Sequence, residues 1–460
     1  MQRSLVSSLV ALPLGLLAAL LTTGAPAAPV SSPEWQSMRE ILSPRAAREA
    51  LTPAGTETPR DARARGLWQS ARGALENGQI DAAEEGFKQA ADIERSAYAP
   101  VLGLADVALR RGRLQEADKF MAQARQLAPL SAEVAAASGR LAAAMRRAPE
   151  AEQEFRRAIK LDPRFVTPQL DLAELQMGSG NNTEATASFR AAMAADPRHP
   201  GAAFGLGRTL AKRSDWAGAL AAFEQAARLA PNNPFPLIAI GEIKANQKQF
   251  DAALASIDKA LSQEPDFAPA RLARIDVLTA SGKTDVAMAE LAQLAGRGDG
   301  PGAAVLYVKL GTLQQSARRL PDAEVSFRKA VALDPAFHPA WNNLAWLGAE
   351  MRKDLDNSLA ASQRAVELAP NNANYHDTLG YVQLARGDLA QASIAFRKAI
   401  QGAPREPEYH FHLAQTLERQ GQAGPALTSY QAALALRTPF ANVELARQRV
   451  AALGGTTAKY

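Results

Sequence analysis

The stretches "AAEEGFKQA" (82–90), "EADKFMAQA" (116–124), "EAEQEFRRA" (150–158), "EATASFRAA" (184–192), "GALAAFEQA" (218–226) and "AALASIDKA" (252–260) share one pattern. Their first register alanines are Ala83, Ala117, Ala151, Ala185, Ala219 and Ala253, each 34 residues after the last. Four residues later stands a large apolar residue: Phe87, Met121, Phe155, Phe189, Phe223 or Ile257. Three further on comes a second alanine: Ala90, Ala124, Ala158, Ala192, Ala226 or Ala260. Prolines 129, 163, 197, 231 and 265 close the units. Small alanines let two helices approach, the large residue fills the space between them, and proline stops the second helix.

A fixed period with several positions in phase resembles the tetratricopeptide repeat family, in which each 34-residue unit is a pair of antiparallel helices. The resemblance implies an all-α fold, an α-solenoid wound as a right-handed superhelix of about eleven helix pairs. Units run from about residue 64 to 438. The seventh is degenerate, with Leu294 in place of alanine and no closing proline, and the glycine-rich "GRGDGPG" (296–302) follows it. The expected organisation is therefore a leader (1–27), N-terminal helices and linker (28–63) and a first block (64–295). A glycine-rich joint (296–303), a second block (304–438) and a terminal cap and tail (439–460) complete it. The cap covers the stacking face that the last repeat would otherwise expose.

Composition agrees with helix throughout. The chain is 47% hydrophobic and 22% charged, enough to bury a core and unlike a disordered chain. Its 52 basic and 47 acidic residues give a mild +5, without a basic stripe of interleaved aromatics, so nucleic acid is not an expected partner. Cysteine is absent, which excludes disulfides, thiolate metal sites, cysteine nucleophiles and a lipid-bearing cysteine.

The first residues read as an export signal. Arg3 precedes the apolar "LVSSLVALPLGLLAALL" (5–21), and Ala25-Pro26-Ala27 fits the small-x-small cleavage rule. An uncleaved anchor is the competing reading, but Pro13 and Gly15 interrupt a short run. The expected product is periplasmic, without a transmembrane segment once the leader is removed. Beyond it, Ser32-Pro33 and Ser43-Pro44 each place a capping serine before a helix-starting proline. The first of these helices carries Trp35, Met38, Ile41 and Leu42 on one face, and "TPAGTETP" (52–59) reads as a linker.

The resemblance also implies that the first helix of each pair lines a groove through its second, fifth, ninth and twelfth positions. The fifth positions are Trp68, Leu102, Ala136, Leu170, Phe204, Ile238, Leu272 and Val308, an apolar strip. The ninth are Arg72, Asp106, Arg140, Glu174, Arg208, Glu242 and Asp276, alternating in sign over the first six. Two readings stay open: a surface ladder of ion pairs between neighbours, each contributing about 0–1 kcal/mol, or a groove edged with both charges for an extended or helical partner.

In the last three repeats the strip gives way to polar and aromatic residues. Asn342, Asn343 and Trp346 in "AWNNLAWL" (340–347), Asp377 and Tyr381, then Phe411, His412 and Gln415 take the groove positions. Asparagine donates and accepts at once, and aromatic rings add contact area at low entropic cost. A ligand-binding patch and a structural role are both open. The family's carboxylate clamp also needs basic neighbours, which Asn342 and Asn343 lack. Trp341 is expected in the core, with His376 and His410 stacked on it from the following repeats.

No catalytic constellation emerges. "SGKT" (281–284) lacks the upstream glycine of a phosphate loop, since Val277 stands there, and "FGLG" (204–207) and "RGD" (297–299) fall on repeat positions or the glycine loop. His338, His376, His410 and His412 do not make a metal set by spacing. The expectation is a non-enzymatic, cofactor-free scaffold that binds a protein or peptide. The units "NNLAWL" and "DTLGY" resemble those of exported repeat proteins in exopolysaccharide, sorting and protease-adaptor systems. A carbohydrate-binding accessory is the alternative, and oligomeric state is left open. If the leader is cut after Ala27, N-terminal sequencing of the exported product will begin at Ala28; a membrane-retained product beginning at Met1 would contradict removal.

Overall fold

The computed structural model describes residues 58–454. The leader and the two serine-capped helices expected before residue 52 lie outside the described residues. Among the described residues, 23 helices and no strand are found. Eleven consecutive pairs are followed by one terminal helix. The pairs are α1–α2 (Ala62–Glu76, Ile80–Ile93), α3–α4 (Tyr98–Arg110, Leu114–Leu127), α5–α6 (Ala132–Ala144, Ala148–Leu161) and α7–α8 (Val166–Gly178, Asn182–Ala195). Next come α9–α10 (Pro200–Lys212, Trp216–Leu229), α11–α12 (Pro234–Asn246, Phe250–Gln263) and α13–α14 (Ala268–Ala280, Thr284–Gly296). The last are α15–α16 (Gly300–Ser316, Leu320–Leu333), α17–α18 (His338–Met351, Leu355–Leu368), α19–α20 (Ala373–Arg386, Leu389–Gly402) and α21–α22 (Pro407–Arg419, Ala423–Ala435). The terminal helix is α23 (Val443–Ala452).

The described chain divides into two compact units, one through Ala273 and one from Arg274. Within each, a first helix packs against its own second helix, and that second helix against the next first helix. Neighbouring first helices also touch, which successive second helices do not to any comparable extent. First helices therefore form the closer-spaced row, and their exposed edge is the groove side.

In most repeats one aromatic ring holds this packing. Phe87, Phe155, Phe189, Phe223, Phe327 and Phe396 are at most 1% exposed, flanked by alanines at or near 0%. Each ring presses on a first-helix glycine. A Cβ added to Gly139, Gly207, Gly311 or Gly380 would lie 2.6 Å from the ring of its own repeat's Phe155, Phe223, Phe327 or Phe396. From the other side, Gly103 and Gly205 of the next repeat meet Phe87 and Phe189 just as closely. The "LG" pairs are thus seats for an aromatic edge, without which the two helix backbones would have to move apart.

Turns within a pair end the first helix on a left-handed residue, six times glycine and five times not, as at Gly112 (φ 72°) and Lys248 (φ 62°). The chain then closes back with a bond such as Arg113 N–H to Ala108 C=O, 2.9 Å, satisfying a carbonyl the helix end leaves open. Between pairs, Asp162 accepts from Arg164 N–H at 3.0 Å, and Asp196 and Asp334 do the same for Arg198 and Ala336. The proline beside each forbids continuation of the helix.

Three places depart from the repeat. In α14, Ala295 takes the buried position that Leu294 cannot, one residue further on. Of the glycine-rich stretch, only residues 297–299 are non-helical; Gly300 and Pro301 begin the long helix α15. In α18 Ser362 stands where the ring belongs; it is fully buried and donates to Leu359 C=O at 2.8 Å. After the last pair, Ala446 and Val450 of α23, with Phe440, close over Tyr430 and Phe411.

Adding a methyl at the ring seat and adding one in open space should have opposite effects. Gly207→Ala is expected to destabilise by about 1–3 kcal/mol through overpacking. Gly66→Ala, with nothing within 4 Å of the new Cβ, should stabilise by about 0.5–1 kcal/mol through reduced backbone entropy. Urea denaturation followed by circular dichroism distinguishes the two.

Candidate functional site

The row of first helices opens into a cleft across repeats one to four. It offers about 100 Å³ of interior space, lined by Trp68, Leu75, Leu102, Leu109, Leu141 and Phe165. The opening has a sequence cause: α5, "AEVAAASGRLAAA", is built of alanine and glycine, and its short side chains leave room that longer neighbours frame. Trp68 forms part of the floor at 5% exposure, while Leu102 and Leu109 stay half-buried and accessible.

Charges of both signs rim the cleft. Arg72 lies 4.9 Å over the Trp68 ring and pairs with Glu76 of its own helix at 3.8 Å. Asp106 pairs with Arg110 at 3.5 Å, again within one helix. Glu133 accepts from Tyr98 Oη at 2.9 Å, and Arg140 reaches Asp171 of the next repeat at 3.3 Å.

Further along, the expected surface ladder is a buried network. Arg208 bonds Glu174 at 2.9 Å, with side chains 8% and 13% exposed, and Asp171 is fully buried. Burial pushes the Glu174 carboxyl up despite Arg208 and Lys212 nearby. Burial also pulls the Lys212 ammonium down, helped by Arg208 and opposed by Glu174. Glu242, at 4%, is buried as well. The figure of about 0–1 kcal/mol for an exposed pair does not apply here; losing one partner of a buried pair costs about 3–5 kcal/mol. Arg208 and Glu242 present little surface to a partner, whereas Arg72 and Arg140 do line the cleft.

In the second unit, the predicted patch comes together as packing. Asn342, Asn343, Asp377, Phe411 and His412 are 3%, 9%, 2%, 1% and 3% exposed, so they present little surface to a partner. Asn342 Nδ2 faces Asn343 Oδ1 at 3.4 Å, leaving Asn342 Oδ1 without a hydrogen-bond partner. His412 Nδ1 lies 2.8 Å from Asp377 Oδ1. The Trp346 and Tyr381 rings stack with centroids 4.2 Å apart and planes at 15°, and His412 sits 5.8 Å from Tyr381. Only Trp346, Tyr381 and Gln415 of the predicted patch remain partly exposed.

Trp341 lies at the margin of the core, packed against the Ala345, Ala361 and Val382 cluster. It is half-buried, and its Nε1–H donates to the carbonyl of Pro335 at 3.0 Å. His376 and His410 do not stack on it. Their Nε2 atoms lie 2.8 and 2.9 Å from the carbonyls of Pro370 and Pro404, which can only accept. Gln169 and Arg271 bond Pro163 and Pro265 in the same way. A donor six residues after the closing proline thus latches the turn between repeats, and its readable signal is that spacing.

A helical-repeat solenoid with a groove along its first helices is the class these features define. One tetratricopeptide repeat profile matches residues 170–234, 308–373 and 378–440, and a second matches 74–141 and 244–309. The chain belongs to the tetratricopeptide repeat family. No curated protein matches it. Among solved structures, yeast Tom70 is similar at 15% identity and TM-score 0.43, covering 85% of this chain and 95% of that one. The Cut9–Hcn1 hetero-tetramer of the APC/C is similar at 13% and 0.41, covering 88% and 99%. YrrB, described as having an unusual peptide-binding site, is similar at 21% and 0.34, covering 41% and 97%. Among the described residues, no group of three or more His, Asp or Glu side chains could hold a metal ion, and no helix is long and apolar enough to cross a membrane.

His412 carries a pH dependence. Burial alone would hold its imidazole neutral, but the Asp377 carboxylate outweighs burial, and Glu408 adds to it, so the pKa rises above 6.5. A raised histidine pKa stabilises the fold fully below its unfolded value and loses that contribution as pH rises through the folded value. Thermal melting of the chain should therefore fall between pH 6 and pH 9, and by less in His412→Gln. An equal fall in both would remove His412 as the cause.

Proposed function

We propose that the chain is a non-enzymatic adaptor, exported to the periplasm, that holds an apolar or amphipathic segment of a partner protein in the cleft of repeats one to four. Its place would be in envelope assembly, secretion or exopolysaccharide export. The observation that carries the reading is the cleft itself. Half-buried leucines sit in an opening between first helices, and arginines and carboxylates at its rim are tied mostly within their own helices. Such a surface suits a helix or strand anchored by one or two large side chains. The export-like leader and the likeness of "NNLAWL" to units of exported repeat proteins support the location.

The glycan alternative has weaker support. Trp346 and Tyr381 cover each other's faces, and the asparagines beside them are buried, so little of the patch is left to lie against a sugar.

Peptides selected from a phage-displayed random library on the immobilised chain should carry apolar anchors and compete for one site. Leu102→Arg is expected to weaken them at least tenfold, roughly 1.4 kcal/mol or more, with melting little changed. The pair Asn343→Ala and Tyr381→Ala should leave their affinity intact. Peptides indifferent to Leu102→Arg would remove the cleft as the binding site.

A further inference from the structure

We infer that the cleft of repeats one to four is a docking site for this chain's own segment 32–42, which occupies it in competition with a partner. This rests on the proposed reading of the cleft as a peptide-binding groove. The segment, "SPEWQSMREIL", carries Trp35, Met38, Ile41 and Leu42 at spacings that share one helical face, and the residues after it run directly into the first repeat. Fifteen residues, 43–57, separate it from the start of the described chain. They span at most about 50 Å when extended, and Trp68 at the cleft floor lies only ten residues beyond Thr58.

Size, chemistry and tethering agree. The cleft's interior of about 100 Å³ admits one or two large side chains, against walls of Trp68, Leu102, Leu109 and Leu141. The segment's polar face holds Glu34, Arg39 and Glu40, charges of both signs to meet a rim of both signs. A short tether raises the effective concentration of a segment to the order of millimolar, so even a weak intrinsic affinity keeps it in place.

The leading face of the first repeat is the other place where such a segment could lie, and its surface is the wrong kind. Arg63, Gly66 and Ser70 of α1 are exposed there, with empty space around Gly66, and no large apolar residue of α1 is exposed. The opposite end of the array differs: α23 covers Tyr430 and Phe411, apolar residues that need covering. An N-terminal segment with four large apolar side chains therefore matches the cleft better than the edge.

The absence of cysteine makes the test clean. In the full-length exported chain, Met38→Cys with Leu102→Cys should form an intramolecular disulfide under mild oxidation. Met38→Cys with Ser70→Cys should not. Efficient cross-linking to Ser70→Cys instead, a disulfide-linked dimer instead, or no cross-link with Leu102→Cys would each overturn the proposal. A synthetic peptide of residues 31–43 provides the second readout. It should bind the Trp35→Ala, Ile41→Ala chain about tenfold or more tighter than the unaltered chain, as removal of a tethered competitor requires. Equal affinity for both chains overturns self-occupancy. If library-selected peptides still bind and depend on Leu102, the cleft reading survives that failure; if no peptide binds either chain, both fall.

Discussion

Everything in this chain depends on one contact: an aromatic or large aliphatic side chain of the second helix wedged between two first helices. Because the ring edges sit where a methyl would clash, the positions that face them, such as Gly139, Gly207 and Gly380, are glycine, and helix spacing follows from that restriction. Repeat nine shows the rule by its exception. With Ser362 in the ring's place, Gly348 lets α17 approach Ser358 closely, and the surrounding cluster of Ala345, Ala361 and Val382 draws on Trp341, Leu359 and Tyr381.

The same close spacing decides what happens to charge. First helices near enough to touch exclude water from the side chains between them, so Glu174 and Arg208 become largely buried partners, and Arg140 reaches the buried Asp171. A carboxylate such as Glu174, desolvated and held by Arg208, is costly to leave alone and serves to hold the register of neighbouring repeats. In the second unit Asp377 and His412 play a similar part, with the Trp346–Tyr381 stack beside them. Polarity in a groove position is therefore no guide to recognition. The surface left for a partner is where side chains are short, over alanine-rich α5, and there half-buried leucines line an opening rimmed by charge.

That distribution gives the two ends of the array different character. The leading repeat is polar at its edge and open in its groove, close to the segment that precedes it. The final repeat is apolar at its edge and closed by α23. A binding groove beside a tethered amphipathic segment can be held in a covered state without further machinery, since occupancy depends only on the relative affinity of two competing peptides.

The sequence by itself determined the helix pairs, their number, the turn prolines and the buried rings. All of these are local or periodic, and a 34-residue phase repeated many times outweighs any single deviation such as Leu294. Of the groove positions it marked, Arg72 and Arg140 line the cleft. Which groove residues are accessible was not legible, because exposure depends on the distance between first helices and on the volumes of residues facing one another across repeats. Asn342, Asp377 and His412 read as a patch and are buried among their neighbours; Trp341 reads as core and lies at its margin, where it also latches a turn. Only the tertiary structure decided these, since it alone sets the gap that short side chains leave open and long ones fill.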